Sequence, residues 1–241
     1  SIQNELFEMI GRLKSGGMRL EDTMNTKYAD MVDYYTMWVH QIKTPIASMH
    51  LILQKEDTED ARRLRAELFR IEQYVRMVLC FLRLDSDFTD YVIKEYKVDD
   101  IVRPAVRSLA PQFIMKRLAL EYEQTDVVAL TDEKWLGFVV EQVLSNAVKY
   151  TSAGSISIKC DEDRLVISDT GIGIAAEDLP RIFDKGYTGF NGRADRKASG
   201  IGLYLCRRIC DKLGHSIRAE SVAGQGTTIT IGLGRNRLEV E

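Results

Sequence analysis

The sequence predicts an α-helical hairpin that pairs with a second copy of itself into a four-helix bundle, followed by an α+β sandwich of one sheet backed by helices. Three observations carry this. Apolar residues step alternately by four and three through Tyr28, Val32, Tyr35, Val39, Ile42, Ile46, Met49 and Leu53. The same stepping returns through Ala61, Leu64, Leu68, Ile71, Val75, Val78 and Leu82, and it is the seam spacing of long packed helices. Beyond residue 90 the period changes to short strand-like runs set between helical ones, the element order of an α+β fold.

Residues 1–27 read as an N-terminal helical or linker segment. Ile2, Leu6, Met9 and Leu13 suggest a short helix, and Gly16-Gly17 is expected to interrupt it, because glycine inside a helix costs about 1 kcal/mol relative to alanine. Residues 28–85 are the hairpin. Its helices are separated by the polar stretch Lys55 to Glu59, with Asp57 and Thr58 as turn and cap residues. One hairpin cannot cover both seams, so a homodimer through residues 28–85 is expected. Residues 86–92 are a linker, with Asp85 to Asp90 as a polar hinge.

Residues 93–241 form the second domain. Strands are expected at Tyr91 to Val98, Leu118 to Glu123, Val127 to Leu130, Ser155 to Cys160, Arg164 to Asp169, Ile217 to Val222 and Thr227 to Leu233. Helices are expected at Asp99 to Gln112, from a cap at Thr131 or Asp132 to Thr151, and at Gly202 to Leu213.

The 241 residues are 45% hydrophobic and 29% charged, enough for packed cores and against wholesale disorder. A net charge of −3 makes no case for nucleic acid or an anionic membrane. Arg62, Arg63 and Arg65 read as a solvated helix face. Cys80, Cys160, Cys206 and Cys210 match no zinc spacing. Cys206 and Cys210 read as buried thiols. No apolar run reaches the roughly 18 residues that a membrane span needs. The chain opens at Ser1 without a signal peptide, so membrane attachment is expected only through segments absent from it.

The string Trp38-Val39-His40-Gln41-Ile42-Lys43-Thr44-Pro45-Ile46 places an imidazole where it can react. His40 follows the seam residue Val39, so it faces the flank and water. Pro45 cannot donate to the carbonyl of Gln41, and a bend is expected there. A neutral imidazole nitrogen beside such a bend is a candidate nucleophile. His50 and His215 read as ordinary flanking residues.

Four further strings converge on a nucleotide. In Gln142-Val143-Leu144-Ser145-Asn146-Ala147-Val148-Lys149-Tyr150, the polar side chains of Gln142, Asn146, Lys149 and Tyr150 share a helix face. Asn146 offers a neutral oxygen for Mg²⁺ and Lys149 offers charge for phosphates. Asp169-Thr170-Gly171-Ile172-Gly173-Ile174 follows a strand. Its aspartate can accept from an adenine amino group, and its glycines allow close approach. Ser199-Gly200-Ile201-Gly202-Leu203 opens a helix, whose N-terminal N–H groups suit phosphate. Gly224-Gln225-Gly226-Thr227 lies between the last strands and taken alone is also a plain hairpin turn. No P-loop or dinucleotide fingerprint occurs.

His40 to Ile46 resembles the H-box of sensor histidine kinases, and within them the bacitracin- and antimicrobial-peptide-sensing kinases. The other strings resemble, in order, the N box, the two glycine boxes and the terminal Gly-x-Gly-Thr of the kinase ATPase domain, which has the Bergerat fold shared with gyrase. The likeness runs over residues 27–236. It implies autophosphorylation of His40 from ATP and transfer to an aspartate in the receiver domain of a response regulator. It also implies phosphatase activity toward that regulator, with Thr44 placing water and Gln41 assisting. It assigns Mg²⁺ to Asn146 and Gln142. Phosphates or ribose fall to Lys149 and Tyr150, and adenine to Asp169 supported by Thr227. The pocket walls fall to Gly171, Gly173, Ile174, Gly200, Gly202 and Leu203. Ile182-Phe183-Asp184-Lys185-Gly186-Tyr187-Thr188-Gly189 resembles the F box and the start of an ATP lid, with Lys185, Tyr187 and Thr188 toward the nucleotide. The glycine-rich, basic stretch that follows, with Gly192, Arg193, Arg196 and Lys197, is expected to order over phosphates.

Two departures stand out. Gln41 replaces an acidic residue and cannot ionise. Either another group takes the proton, or the imidazole attacks unaided and Gln41 only orients it. Gln142 replaces asparagine, and no glutamate stands there to activate water, which argues against an independent ATPase. Both glutamines leave one alternative, a catalytically weak dimeric scaffold that binds nucleotide.

Overall fold

The apolar stepping folds into two helices, and the structure, a computed structural model, describes residues 2–56, 58–84, 91–189 and 199–234. Helix α1 spans Ile2–Leu53 without a break. The interruption expected at Gly16-Gly17 is absent, and the helix also runs past residues 27 and 28 into the hairpin. Both glycines are exposed, and a Cβ at either would meet nothing within 4 Å. Helix propagation across a long run outweighs the cost of about 1 kcal/mol per glycine. Pro45 likewise lies inside α1 and does not end it.

Helix α2 spans Glu59–Leu84. Thr58 caps it, its Oγ1 accepting the Ala61 N–H at 3.1 Å, and Glu59 and Asp60 complement the helix dipole. Asp57 and the hinge residues 85–90 lie outside the described residues. Between the helices Val39, Ile46, Ala61, Leu68, Val75 and Leu82 are buried, and the Tyr28 hydroxyl donates to the Leu82 carbonyl at 2.6 Å. Ala61, Leu68, Val75 and Leu82 recur every seven, and Met77, Cys80 and Leu84 are buried besides them toward the end of α2. The alternate seam positions Leu64, Ile71 and Val78, also seven apart, stay 55%, 44% and 43% exposed. A single hairpin thus covers half of its own apolar seam.

Residues 1–89 and 90–241 are separate compact units. In the second, β1 (Lys94–Lys97) pairs antiparallel with β3 (Val128–Thr131). A five-stranded sheet runs β2-β4-β5-β7-β6, with β2 (Ala119–Tyr122), β4 (Ser155–Asp161), β5 (Arg164–Asp169), β6 (Ser216–Val222) and β7 (Gly226–Gly232). Within this sheet β2 pairs parallel with β4, and the β4-β5, β5-β7 and β7-β6 pairings are antiparallel. Helices α3 (Val98–Lys116), α4 (Glu133–Tyr150) and α5 (Gly202–Leu213) back it. The core joins Leu136, Val140 and Leu144 of α4 and Leu205, Ile209 and Cys210 of α5 to Ile156, Ile158, Leu165, Ile167 and Ile231 of the sheet, all buried. Each such aliphatic side chain stabilises by about 1.5–3 kcal/mol. Cys206 and Cys210 are buried and in no disulfide, and burial pushes the Cys210 thiol up to about 12.

Asp132, rather than Thr131, caps α4. Its Oδ1 accepts the N–H groups of Lys134 and Trp135, and its Oδ2 accepts that of Val92 at 2.8 Å. Thr131 instead bonds His215 Nε2 at 2.9 Å, and His215 is buried rather than a flanking surface residue. Asp99, buried at the start of α3, accepts from the Tyr122 hydroxyl and pairs with Arg103. Burial pushes its carboxyl up, but those two partners outweigh it and hold it below the usual carboxylate range; burial and Asp99 push Tyr122 up to about 12. Asp99→Ala is expected to lower stability by about 1–3 kcal/mol at neutral pH, chiefly because it leaves the half-buried Tyr122 hydroxyl without its acceptor, Arg103 being open to water. Urea unfolding of both chains checks this. A depressed folded pKa adds stability above the unfolded value that is lost as pH falls through the folded one, so the gap between the two chains closes in acid.

Candidate nucleotide site

Helix α4 has two faces. Val139, Val140, Val143, Leu144, Ala147 and Val148 are buried, while Gln142, Asn146, Lys149 and Tyr150 are half-buried on one polar stripe. The Lys149 ammonium lies 4.8 Å from the centre of the Tyr150 ring. The helix ends at Thr151, whose N–H reaches the Ala147 carbonyl at 3.1 Å. The Tyr150 carbonyl accepts the Ile172 N–H at 3.2 Å, tying the helix to the glycine stretch after β5.

Asp169 ends β5 opposite Thr227 of β7. Its Oδ1 accepts the Gly171 N–H at 2.8 Å. Burial raises the carboxyl above the ordinary range, outweighing the lowering by the Gly171 and Thr227 backbone and the nearby Thr151 side chain. The Thr151 hydroxyl is buried beside it without a hydrogen-bond partner among the described residues. A desolvated carboxyl at a strand end is primed for one more donor. Gly171 has no room for a Cβ, which would press on the Tyr150 carbonyl, Asp169 Oδ1 and Thr151 Oγ1. Gly173 sits at φ +66° against the Val222 carbonyl. Next to it the half-buried Ile174 donates its N–H to Ser221 Oγ at 2.8 Å, and Ser221 bonds Thr227 Oγ1 at 2.9 Å.

Helix α5 begins with no side-chain cap at Ile201. Its first N–H groups are therefore available to an anion. Gly202, its first residue, lies against the Gln142 amide in space that a Cβ would fill, and Leu203 beside it is half-buried. Gly200, at φ +66°, packs on the Gly186 backbone, whose N–H it accepts at 3.0 Å. Thus Gln142 of α4 meets the α5 N-terminus, and Tyr150 and Thr151 meet Asp169.

At the expected lid start, the Tyr187 hydroxyl donates to Asp178 and the Arg181 guanidinium lies 4.4 Å from its ring centre. Lys185 is exposed and Thr188 half-buried. Gly192, Arg193, Arg196 and Lys197 lie outside the described residues. His40, Gln41 and Thr44 belong to the other unit. All three are exposed beside buried Val39, and the Thr44 hydroxyl lies 3.4 Å from the His40 carbonyl. His50 Nε2 is 3.4 Å from Glu72.

Sequence reasoning passed over Thr151, Ser221, Asp178 and Lys116. Thr151 carried a usable signal, as a hydroxyl directly after a polar-faced helix. Ser221 and Lys116 become visible only through partners distant in sequence, and Asp178 through Tyr187 nine residues on.

Among the described residues no group of three or more His, Cys, Asp or Glu side chains converges for a metal. The amide oxygens of Asn146 and Gln142 still suit a hard cation whose remaining ligands come from phosphates and water.

Residues 131–237 match the family described as histidine kinase-, DNA gyrase B-, and HSP90-like ATPase. The chain is 35% identical over 234 residues to sensor histidine kinase YxdK of Bacillus subtilis, covering 94% of this chain and 72% of the relative. It is 34% identical over 237 residues to sensor protein BceS of Halalkalibacterium halodurans, covering 95% of this chain and 69% of the relative. The fold is similar to that of the Acinetobacter baumannii histidine kinase AdeS, with a TM-score of 0.56 at 20% identity over 82% of this chain and 98% of that one.

Proposed function

The chain belongs to the sensor histidine kinases and is a protein-histidine kinase with ATP as donor, and from this premise we propose that His40 is the phosphoacceptor. One observation carries the assignment. The chain has three histidines; His215 is buried, His50 is half-buried against Glu72, and His40 alone is exposed. Its imidazole nitrogen attacks the γ-phosphorus, the bond to the ADP oxygen breaks, a nitrogen–phosphorus bond forms and the ring N–H proton passes to the water around this exposed side chain. Gln41 cannot take that proton and orients the ring.

ATP sits between the polar face of α4, the glycine stretch after β5 and the α5 N-terminus. Asp169 reads the adenine amino group, with Thr227 opposite it on β7 and Thr151 packed beside it. Gly171, Gly173 and Ile174 form the wall. Lys149 and Tyr150 face phosphates or ribose, and the N–H groups at Gly200, Gly202 and Leu203 face phosphate. Lys185 and Thr188 close over it, with Tyr187 as their anchor. Asn146 and Gln142 would hold Mg²⁺, which neutralises phosphate charge. Catalysis then asks the protein mainly for positioning.

The half-covered seam supports a homodimer through residues 28–85. A Leu64→Glu, Ile71→Glu double variant is expected to shift the molar mass measured by light scattering from dimer to monomer. The onward acceptor is an aspartate of a response-regulator receiver domain, and Thr44 with Gln41 supports the reverse dephosphorylation. The string around His40 and the likeness to BceS support the antimicrobial-peptide-sensing branch. Membership of the sensor kinases supports reading the chain as the catalytic region of a larger sensor, placed on the cytoplasmic side of a cell membrane. Among the described residues no helix is long and apolar enough to cross a membrane.

Incubation with γ-labelled ATP tests the whole reading. Acid-labile, alkali-stable label on the chain that chases onto a receiver domain is the expected result. Nucleotide binding without label identifies a scaffold and sinks the kinase assignment to His40. Thr44→Ala is expected to slow loss of label from the receiver while leaving labelling of the chain intact.

A further inference from the structure

Lys116, the last residue of α3, reaches across to the end of α4. Its ammonium donates to the carbonyls of Val148 at 2.6 Å, Lys149 at 3.0 Å and Thr151 at 3.1 Å. A helix leaves its last four carbonyls without helical partners. In α4, Ala147 receives the Thr151 N–H and Tyr150 receives the Ile172 N–H. Val148 and Lys149 fall to Lys116, so all four are satisfied. The ammonium also suits the negative end of the helix dipole.

The third bond goes past the helix. Thr151 is held by its N–H to Ala147 and by its carbonyl to Lys116, and its buried side chain lies against Asp169. The Tyr150 carbonyl, the Thr151 hydroxyl and Asp169 Oδ1 all crowd the place where Gly171 would carry a Cβ. The turn after α4 is therefore the seat of Asp169, and Lys116 is its clamp. A helix cap alone would need only the bonds to Val148 and Lys149.

We propose that Lys116 is a positioning residue for base recognition, fixing the turn at Thr151 so that Asp169 and Gly171 hold the geometry that accepts the exocyclic amino group of adenine. This rests on the reading of Asp169 given above.

The full chain is titrated with ATP and with purine riboside triphosphate, which lacks that amino group, as wild type, Lys116→Met and Lys116→Gln. The wild type is expected to prefer ATP by tenfold or more, on the order of what one buried hydrogen-bonding group discriminates. Lys116→Met is expected to lose most of that preference, with the amino-free nucleotide bound within about twofold of wild type. Equal losses for both nucleotides, or an unchanged preference, overturn the proposal and leave a helix clamp. Should Lys116→Met fail to fold, the same ratio in Lys116→Gln decides by the same criteria. A wild type with no preference refutes the Asp169 reading itself, and the proposal with it.

Discussion

Exchanging His40 for glutamine is expected to abolish acid-labile phosphate on the chain, by about a thousandfold or more, with ATP affinity unchanged. The size follows from chemistry: without the nucleophile there is no nitrogen to carry the phosphoryl group, whereas loss of a positioning group is usually partial. No other histidine substitutes easily. His215 is buried against Thr131, and His50 lies beside Glu72. Glutamine preserves length and polarity on an exposed helix face, so the fold is expected to tolerate it. The checks are label retention after acid and alkali, and nucleotide titration of both chains. Alkali-stable label persisting on the variant would move the acceptor to another residue.

Asp169→Asn is expected to weaken ATP binding about a hundredfold, because Gly171 N–H already occupies one carboxylate oxygen and an amide has a single acceptor oxygen to share between that donor and the adenine amino group. The wild-type affinity carries a pH signature. Burial raises the Asp169 carboxyl, so protonation competes with the bound base above the usual carboxylate value of 3.8. Affinity therefore falls as pH drops toward that raised value and approaches tenfold per pH unit below it. The asparagine chain should show no such dependence. Fluorescent-nucleotide titrations from about pH 4.5 to 8 check both, and parallel profiles for the two chains would remove Asp169 from base recognition.

Much of this was legible because it depends on local pattern. The stepping from Tyr28 to Leu82 announced two helices. The runs Arg164–Asp169 and Gly202–Leu213 matched their elements end to end. The exposure of His40 followed from its place beside a seam residue. Gly16-Gly17 misled because local propensity says nothing about how far a long helix propagates. His215 misled because its partner, Thr131, is 84 residues away.

Residue order by itself determined the heptads, most of the elements and the identity of the groups proposed to meet a nucleotide, since periodicity and side-chain chemistry are carried by neighbours in the chain. Tertiary structure decided which half of the seam stays open, that Gln142 lies against Gly202, and that Lys116 and Thr151 seat Asp169. Those depend on distances between segments, and the one-dimensional pattern holds no distance between residues that only packing brings together.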